Sequence, residues 1–309
     1  RDIPFLKKYD TKIIVNVCGK STEEYCEVVE RLAGEAVDML EINISCPNVK
    51  EGGIAFGQDP KAVETITREV KKYAKQPIIM KLSPNVTDIT EMAKAASQKR
   101  LKLLGITEHT KGIAGTCEDI YFVNLKVVPR QMFGIELMLG AEINILDYKG
   151  TLSLGKQYMK HLDLRIAGIH KMCYKPGPPR QNTDAVLGAI ANPEVDIISH
   201  PDDGTCPLIY EEIVKAAKSC HTLLEVNNNS LRTPTRKNVH ENVLTFLNLC
   251  KKHRVPVIAS SDAHYTADIA NLDHAIPILE EADFPQDLVV NYSLEQFKEY
   301  IAYNRAHSQ

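Results

Sequence analysis

Tryptophan is absent from the 309 residues, and histidine is absent from the first 108. All ten histidines lie from His109 onward, so chemistry that uses imidazole belongs to the last two thirds of the chain. None of the eight cysteines forms a Cys-x-x-Cys pair, which excludes a zinc ribbon or a dithiol redox centre of that kind. They read as reduced thiols in a cytoplasmic protein. No run approaches the ~20 apolar residues that cross a bilayer, and the opening residues lack a signal-peptide pattern. The chain starts on Arg1 rather than Met, so a fragment or a processed product is expected. Charge of one sign is also scarce. A net charge of −3 gives no general reason to expect nucleic acid or a membrane surface as partner. No Gly/Pro-rich or low-complexity linker appears, so any join between parts lies inside packed structure.

What is present is an alternation. Short β-branched runs at Ile13–Val17, Asp38–Ile44, Pro77–Leu82, Leu101–Thr107, Ile135–Ile145, Leu162–Ile169, Val195–Ser199, Thr222–Val226 and Pro256–Ser261 read as buried parallel strands. Amphipathic stretches at Ser21–Ala33, Asp59–Ala74, Asp88–Arg100, Tyr210–Cys220 and Glu241–His253 separate several of them, and Ser21 with Glu24 is a capping box. The class is α/β. A closed, TIM-like parallel (βα) barrel is favoured, because polar residues gather just after the strands, where barrel enzymes hold their chemistry. Nine runs are one more than an eight-stranded barrel needs, and the helix at Asp88–Arg100 is the expected seam. The chain is thus expected to be assembled from two barrel fragments, 1–97 and 98–309.

Five strand-like runs end in residues able to bind a metal: His109, Glu142, His170, His200, and Asp262 with His264. The mouth of a barrel brings such ends together, and mixed imidazole and carboxylate ligands suit Zn²⁺, Mn²⁺ or iron. A carboxylate such as Glu142 can bridge two ions. His161, His221, His240, His253, His274 and His307 lack the strand-end position.

The segments Ile106–His109 (ITEH), Gly140–Ile145 (GAEINI), Ile166–His170 (IAGIH), Ile197–Pro201 (IISHP), Leu224–Asn228 (LEVNN) and Ser260–His264 (SSDAH) resemble, in order, the strand-end motifs of the polymerase and histidinol phosphatase (PHP) family. The stand-alone metal phosphatase branch is the nearest likeness. The resemblance implies a distorted barrel with a trinuclear site that hydrolyses a small phosphate ester. Glu142, His170 and His200 would hold one ion, Glu142 and Asp262 would contribute to a second, and His109 and His264 would hold the third. Asp262 and His264 would also be catalytic. One departure stands out: the family opens on a strand bearing His-x-His, with another His soon after, and this chain has none of them. The strand preceding Leu101 ends instead in Lys81-Leu82-Ser83.

The first third tells a different story. Asn43-Ile44-Ser45-Cys46-Pro47-Asn48 and Lys81-Leu82-Ser83-Pro84, with Asn16-Val17-Cys18-Gly19 before them, resemble the middle of the FMN-dependent dihydroorotate dehydrogenases. That resemblance makes Cys46 a general base, Asn43 and Asn48 pyrimidine contacts, and Lys81 a flavin contact. The strands that grip the FMN phosphate have no counterpart after residue 100, so bound FMN is not expected. A metal-dependent phosphoesterase, impaired by the missing first-strand histidines, is the leading expectation. A catalytically silent chimeric scaffold comes next, and a flavin-dependent dihydroorotate dehydrogenase last.

Overall fold

The structure is a computed structural model that describes residues 2–44, 60–81, 89–113 and 115–307. The chain divides into two compact units, Arg1–Thr87 and Asp88–Gln309.

In the first unit, a short helix α1 (Asp2–Leu6) precedes three parallel strands, β1 (Ile14–Val17), β2 (Met39–Asn43) and β3 (Ile78–Lys81). Ile14 is paired with Met39, and Leu40 with Ile78. Helices α2 (Thr22–Leu32) and α3 (Pro60–Val70) cover one face, where Val17, Leu40 and Ile42 pack with Tyr25, Val29 and Ile66. Ser21 caps α2, its Oγ accepting from the Glu24 N–H at 3.3 Å. Period-2 alternation sends Ile14, Met39 and Ile79 to the opposite face, where all three are exposed.

The second unit opens on α4 (Ile89–Gln98), whose Ala93 and Ala96 are fully buried in its main core. A seven-stranded sheet follows: β4 (Leu103–His109), β5 (Gln131–Met132), β6 (Ile135–Asn144), β7 (Leu164–Gly168), β8 (Ile197–Ile198), β9 (Leu223–Asn227) and β10 (Val257–Ser260). The order is β10-β9-β8-β7-β6-β4, every neighbour parallel, with β5 antiparallel to β6. Among the described residues the strands form a three-stranded sheet in the first unit and a seven-stranded one in the second; the α/β class with parallel strands is as expected, and neither sheet closes on itself as a barrel.

Alternation sorts this sheet's side chains between two cores. Leu137, Leu139, Ile143, Ala167, Ile198, Leu224, Val226 and Val257 pack outward beneath α7 (Pro179–Ile190), α8 (Tyr210–Cys220) and α10 (Val239–His253), the shorter helices being α5 (Asp119–Asn124), α6 (Lys156–Met159), α9 (Asn228–Arg232) and α11 (Ala275–Glu281). Leu103, Met138, Leu164, Ile197, Leu223 and Ile258 point the other way and enclose Phe297 and Ile301 of the last helix, α12 (Leu294–His307). This helix lies at the strands' N-terminal ends: Lys298 pairs with Glu136 at 2.8 Å, and Asn304 donates to Asp196 Oδ1 at 3.3 Å. The inner face toward the strands' C-terminal ends is left for polar groups.

Two glycines set how closely the strands pass on that inner face. A Cβ at Gly140 would meet the Leu164 carbonyl oxygen at 2.1 Å, and one at Gly168 would meet Ser199 Oγ at 2.1 Å. Each lies two residues before a strand-end polar group, Glu142 and His170, so both belong to the same inner row.

A buried ion cluster locks the opposite end. Arg165 donates to Asp196 at 2.9 and 3.0 Å and to Glu194 at 2.8 Å, and all three residues are buried. Removing Arg165 leaves Asp196 buried without a counter-charge, while Glu194 keeps only Lys156 at 3.5 Å. Arg165→Met is expected to cost about 3–5 kcal/mol of unfolding free energy. Urea denaturation followed by circular dichroism checks this, and a loss below about 1 kcal/mol would show the cluster to be dispensable.

Candidate metal centre

Near its C-terminal end, β6 presents Glu142 on the inner face, and that residue is nearly buried. Its Oε1 meets His170 Nε2 at 3.1 Å and His200 Nε2 at 3.0 Å, and the two Nε2 atoms stand 3.2 Å apart. Parallel pairing puts His109 of β4 directly opposite Glu142, and its Nδ1 faces Glu142 Oε2 at 3.6 Å. The rings of His109 and His200 meet the His170 ring edge to face, with centroids 4.9 and 5.0 Å away. Short connections hold these strand ends in place. The Thr110 N–H bonds the Glu142 carbonyl at 3.1 Å, and buried Asn144 ties the next turn by donating to the Lys111 carbonyl at 3.0 Å.

Burial alone would raise the Glu142 pKa. Hydrogen bonds from His170 and His200, and charge from His200 and His109, overcome this and hold its carboxyl well below the usual carboxylate range. Burial lowers the His170 pKa despite Glu142. For His200, burial and the Arg236 charge push downward, yet Glu142 and Glu225 win and its pKa is raised. Burial, aided by the charges of Asp262 and Glu142, pushes Glu225 up to about 7. Burial likewise lifts Asp202 to about 6, although Arg236 Nη1 stands 3.7 Å from it.

Two site residues have left-handed backbone, His200 at φ +30° and Asp262 at φ +48°. Such positions cost roughly 1–3 kcal/mol each and persist where the surroundings impose them. The His200 N–H donates to Glu225 Oε2 at 2.7 Å. Glu225 Oε2 also accepts from Asn227 Nδ2 at 3.1 Å, and its Oε1 accepts from the Ser260 hydroxyl.

Ligand atoms 2.0–2.1 Å from a tetrahedral ion lie about 3.3 Å from one another. The Glu142 Oε1, His170 Nε2 and His200 Nε2 triangle, at 3.0–3.2 Å, is already close to that size. His109 Nδ1 is buried without a hydrogen-bond partner, and its ligating atom lies within 4.8 Å of those of Glu142 and His170. Lone pairs converging with too few protons between them are suited to a divalent cation.

Four of the six expected metal-binding residues, His109, Glu142, His170 and His200, are thus brought together. Asp262 follows β10, and its Oδ2 accepts from Asn229 Nδ2 at 3.4 Å. His264 is largely exposed, its Nδ1 turned to the Asp262 carbonyl oxygen at 2.9 Å. Sequence reading assigned no role to Glu225, Asp202 or Arg236. The signal for Glu225 was present, since it alternates with Leu223 and Asn227 on the inner face of β9.

In the first unit, Asn43 and Lys81 are paired across β2 and β3. Lys81 is half exposed, 3.7 Å from Glu41 Oε1, and Asn43 Nδ2 donates to Asn16 Oδ1 at 3.4 Å. Cys46 and Asn48 lie outside the described residues.

A probable phosphatase of Clostridium novyi (strain NT) is 40% identical over 215 residues, a match spanning 70% of this chain and 88% of that protein. The chain belongs to the family of that phosphatase. A second likeness concerns another part of the chain. The family model for dihydroorotate dehydrogenase matches residues 3–127. The catalytic subunit of dihydroorotate dehydrogenase B (NAD(+)) from Lachnoclostridium phytofermentans (strain ATCC 700394 / DSM 18823 / ISDg) is 75% identical over 96 residues, 31% of this chain and 32% of that protein. Among solved structures, a histidinol phosphate phosphatase from Lactococcus lactis subsp. lactis Il1403, complexed with zinc, L-histidinol and phosphate, aligns with TM-score 0.42 and 14% identity. It covers 63% of this chain and 87% of that one, a likeness too slight to bear on function.

Of the flavin-side residues of this phosphatase-family chain, Asn43 and Lys81 lie on the sheet face that also carries the exposed Ile14, Met39 and Ile79. After incubation with FMN and gel filtration, the protein peak is expected to carry no flavin absorbance. A co-eluting flavin band at near one per chain would contradict that.

Proposed function

We propose that residues 98–309 act as a metal-dependent phosphoesterase on a small phosphorylated substrate, and that residues 1–97 are a dihydroorotate-dehydrogenase-like fragment fused ahead of it. The observation that carries the first half is the convergence of Glu142, His170 and His200 at 3.0–3.2 Å in a member of a phosphatase family. The matched shares support the second: 70% of the chain to a phosphatase and 31% to a dehydrogenase subunit, each close to the complement of the other.

Glu142, His170 and His200 would hold one ion, Glu142 and Asp262 would contribute to a second, and His109 and His264 would hold a third. Zn²⁺ is the favoured occupant, with Mn²⁺ and iron as alternatives. Bound divalent metal supplies Lewis-acid polarisation of a phosphoryl oxygen and lowers the pKa of water from 15.7 toward about 7. The protein's own part is to position and to move protons. Glu142 brings negative charge where few protons are available, and the inner-face glycines keep the rows close enough for His109, Glu142 and His170 to share one locus. Asp262, 3.8 Å from His264 Nδ1, would take a proton from the attacking water and return one to the leaving alkoxide. Arg236 lies beside Asp202, two residues after His200, and adds positive charge on that side of the centre.

The second reading is a folded chain without turnover, favoured by the lack of any histidine before His109 to supply the first-strand ligands. Flavin-dependent dehydrogenation is the third, and the exposed, ion-paired Lys81 speaks against it.

The two leading readings separate in one assay. Hydrolysis of p-nitrophenyl phosphate with added Zn²⁺ or Mn²⁺ is expected to be measurable, to vanish with chelator, and to fall at least about 100-fold in His170→Ala/His200→Ala. Turnover that survives both treatments would remove the metal from the account. Absence of turnover in the unaltered, metal-loaded chain would favour the silent scaffold.

A further inference from the structure

We propose that Glu225 is a positioning residue that sets the spacing of the metal centre by holding His200 through its backbone. The inference rests on His200 being a metal ligand. Glu225 lies on the inner face of β9, between the strand that leads to His200 and the strand that leads to Asp262. One carboxylate joins the ends of all three strands. Its Oε2 takes the His200 N–H at 2.7 Å and Asn227 Nδ2 at 3.1 Å, while its Oε1 takes the Ser260 hydroxyl two residues before Asp262. β8 is only two residues long, so its own ladder bonds end before His200 is reached. His200 nonetheless has φ +30°, a conformation L residues rarely adopt, and its ring reaches Glu142 Oε1 at 3.0 Å. The backbone bond to Glu225 holds that turn where the ladder does not.

A buried carboxylate with both oxygens engaged by N–H and O–H donors need not be a ligand to matter. Groups that orient a ligand commonly change metal affinity 10–100-fold when removed. The role also predicts which replacements work. Gln at position 225 keeps an oxygen for the His200 N–H, and the Ser260 hydroxyl can turn to accept from its amide. Asp keeps the charge but is one methylene too short to reach both strand ends, and Ala removes the strut.

Co²⁺ alone, titrated into the metal-free full-length protein and followed by its visible d–d bands, tests this. Glu225→Ala and Glu225→Asp are expected to weaken Co²⁺ binding 10–100-fold and to alter the band pattern as His200→Ala does. Glu225→Gln should recover affinity to within a few-fold of the unaltered chain. Glu225→Ala combined with His200→Ala should bind no more weakly than His200→Ala alone, because the first acts through the second. Unchanged affinity and spectrum in Glu225→Asp would overturn the proposal, as would losses that add in the double variant or a Gln variant as weak as Ala. Should Glu225→Ala not fold, the Asp and Gln variants decide it. A chain that takes up Co²⁺ yet hydrolyses no ester contradicts the proposed function and leaves this proposal standing; one that takes up no Co²⁺ contradicts both.

Discussion

The centre depends on one buried carboxylate. Glu142 sits at the end of the longest strand, nearly closed off from water, with two imidazole nitrogens at hydrogen-bond distance from a single oxygen and a third facing the other. Burying a charge without compensation is expensive, and here the compensation comes from histidines drawn from three other strand ends. Each of those histidines has to arrive at the right depth. The in-register pairing of His109 with Glu142, the glycines at 140 and 168, and the Glu225 bond to the His200 backbone all act on that spacing.

The fold divides its labour along the strand axis. At the N-terminal ends, α12 fills the inner face and the Arg165 cluster braces the strand starts, so stability is concentrated away from the chemistry. At the C-terminal ends the side chains are polar, the backbone at His200 and Asp262 is strained, and carboxylates gather. Strain and unbalanced charge of this kind are tolerated where surrounding structure holds them and where a ligand makes use of them.

Much of this was legible in the order of residues. Buried parallel strands are near-continuous apolar runs, and the runs leading to Glu142, His170 and Asp262 each became a strand of the sheet. The strand-end residues His109, Glu142, His170 and His200 form the cluster, because a parallel sheet puts all its C-terminal ends on one side. Shorter or less regular pieces were not legible. β5 has two residues and pairs only with the start of β6, too little for a period to register. Helix α7 opens within Pro176-Gly177-Pro178-Pro179, which reads as loop, although a proline in the first turn suits a helix. Helix α12 buries Phe297 and Ile301 under the sheet but is otherwise mostly polar, so it shows almost no stripe. The expectation of a closed barrel came from the polar residues that gather just after the strands. Pairing across a sheet is set by long-range contacts that no local pattern encodes, and the described strands form two sheets. Glu225 was passed over for a similar reason, since its partners are the His200 backbone and Ser260, neither adjacent in sequence.

The strand-end cluster is expected to hold a divalent cation without the first-strand histidines. Elemental mass spectrometry of the purified chain, beside its Glu142→Ala variant, tests it most directly. At least one zinc, manganese or iron per unaltered chain, lost in the variant, is the predicted result. A metal-to-protein ratio near zero in both would mean that the converging imidazoles and carboxylate form a folded but metal-free cluster.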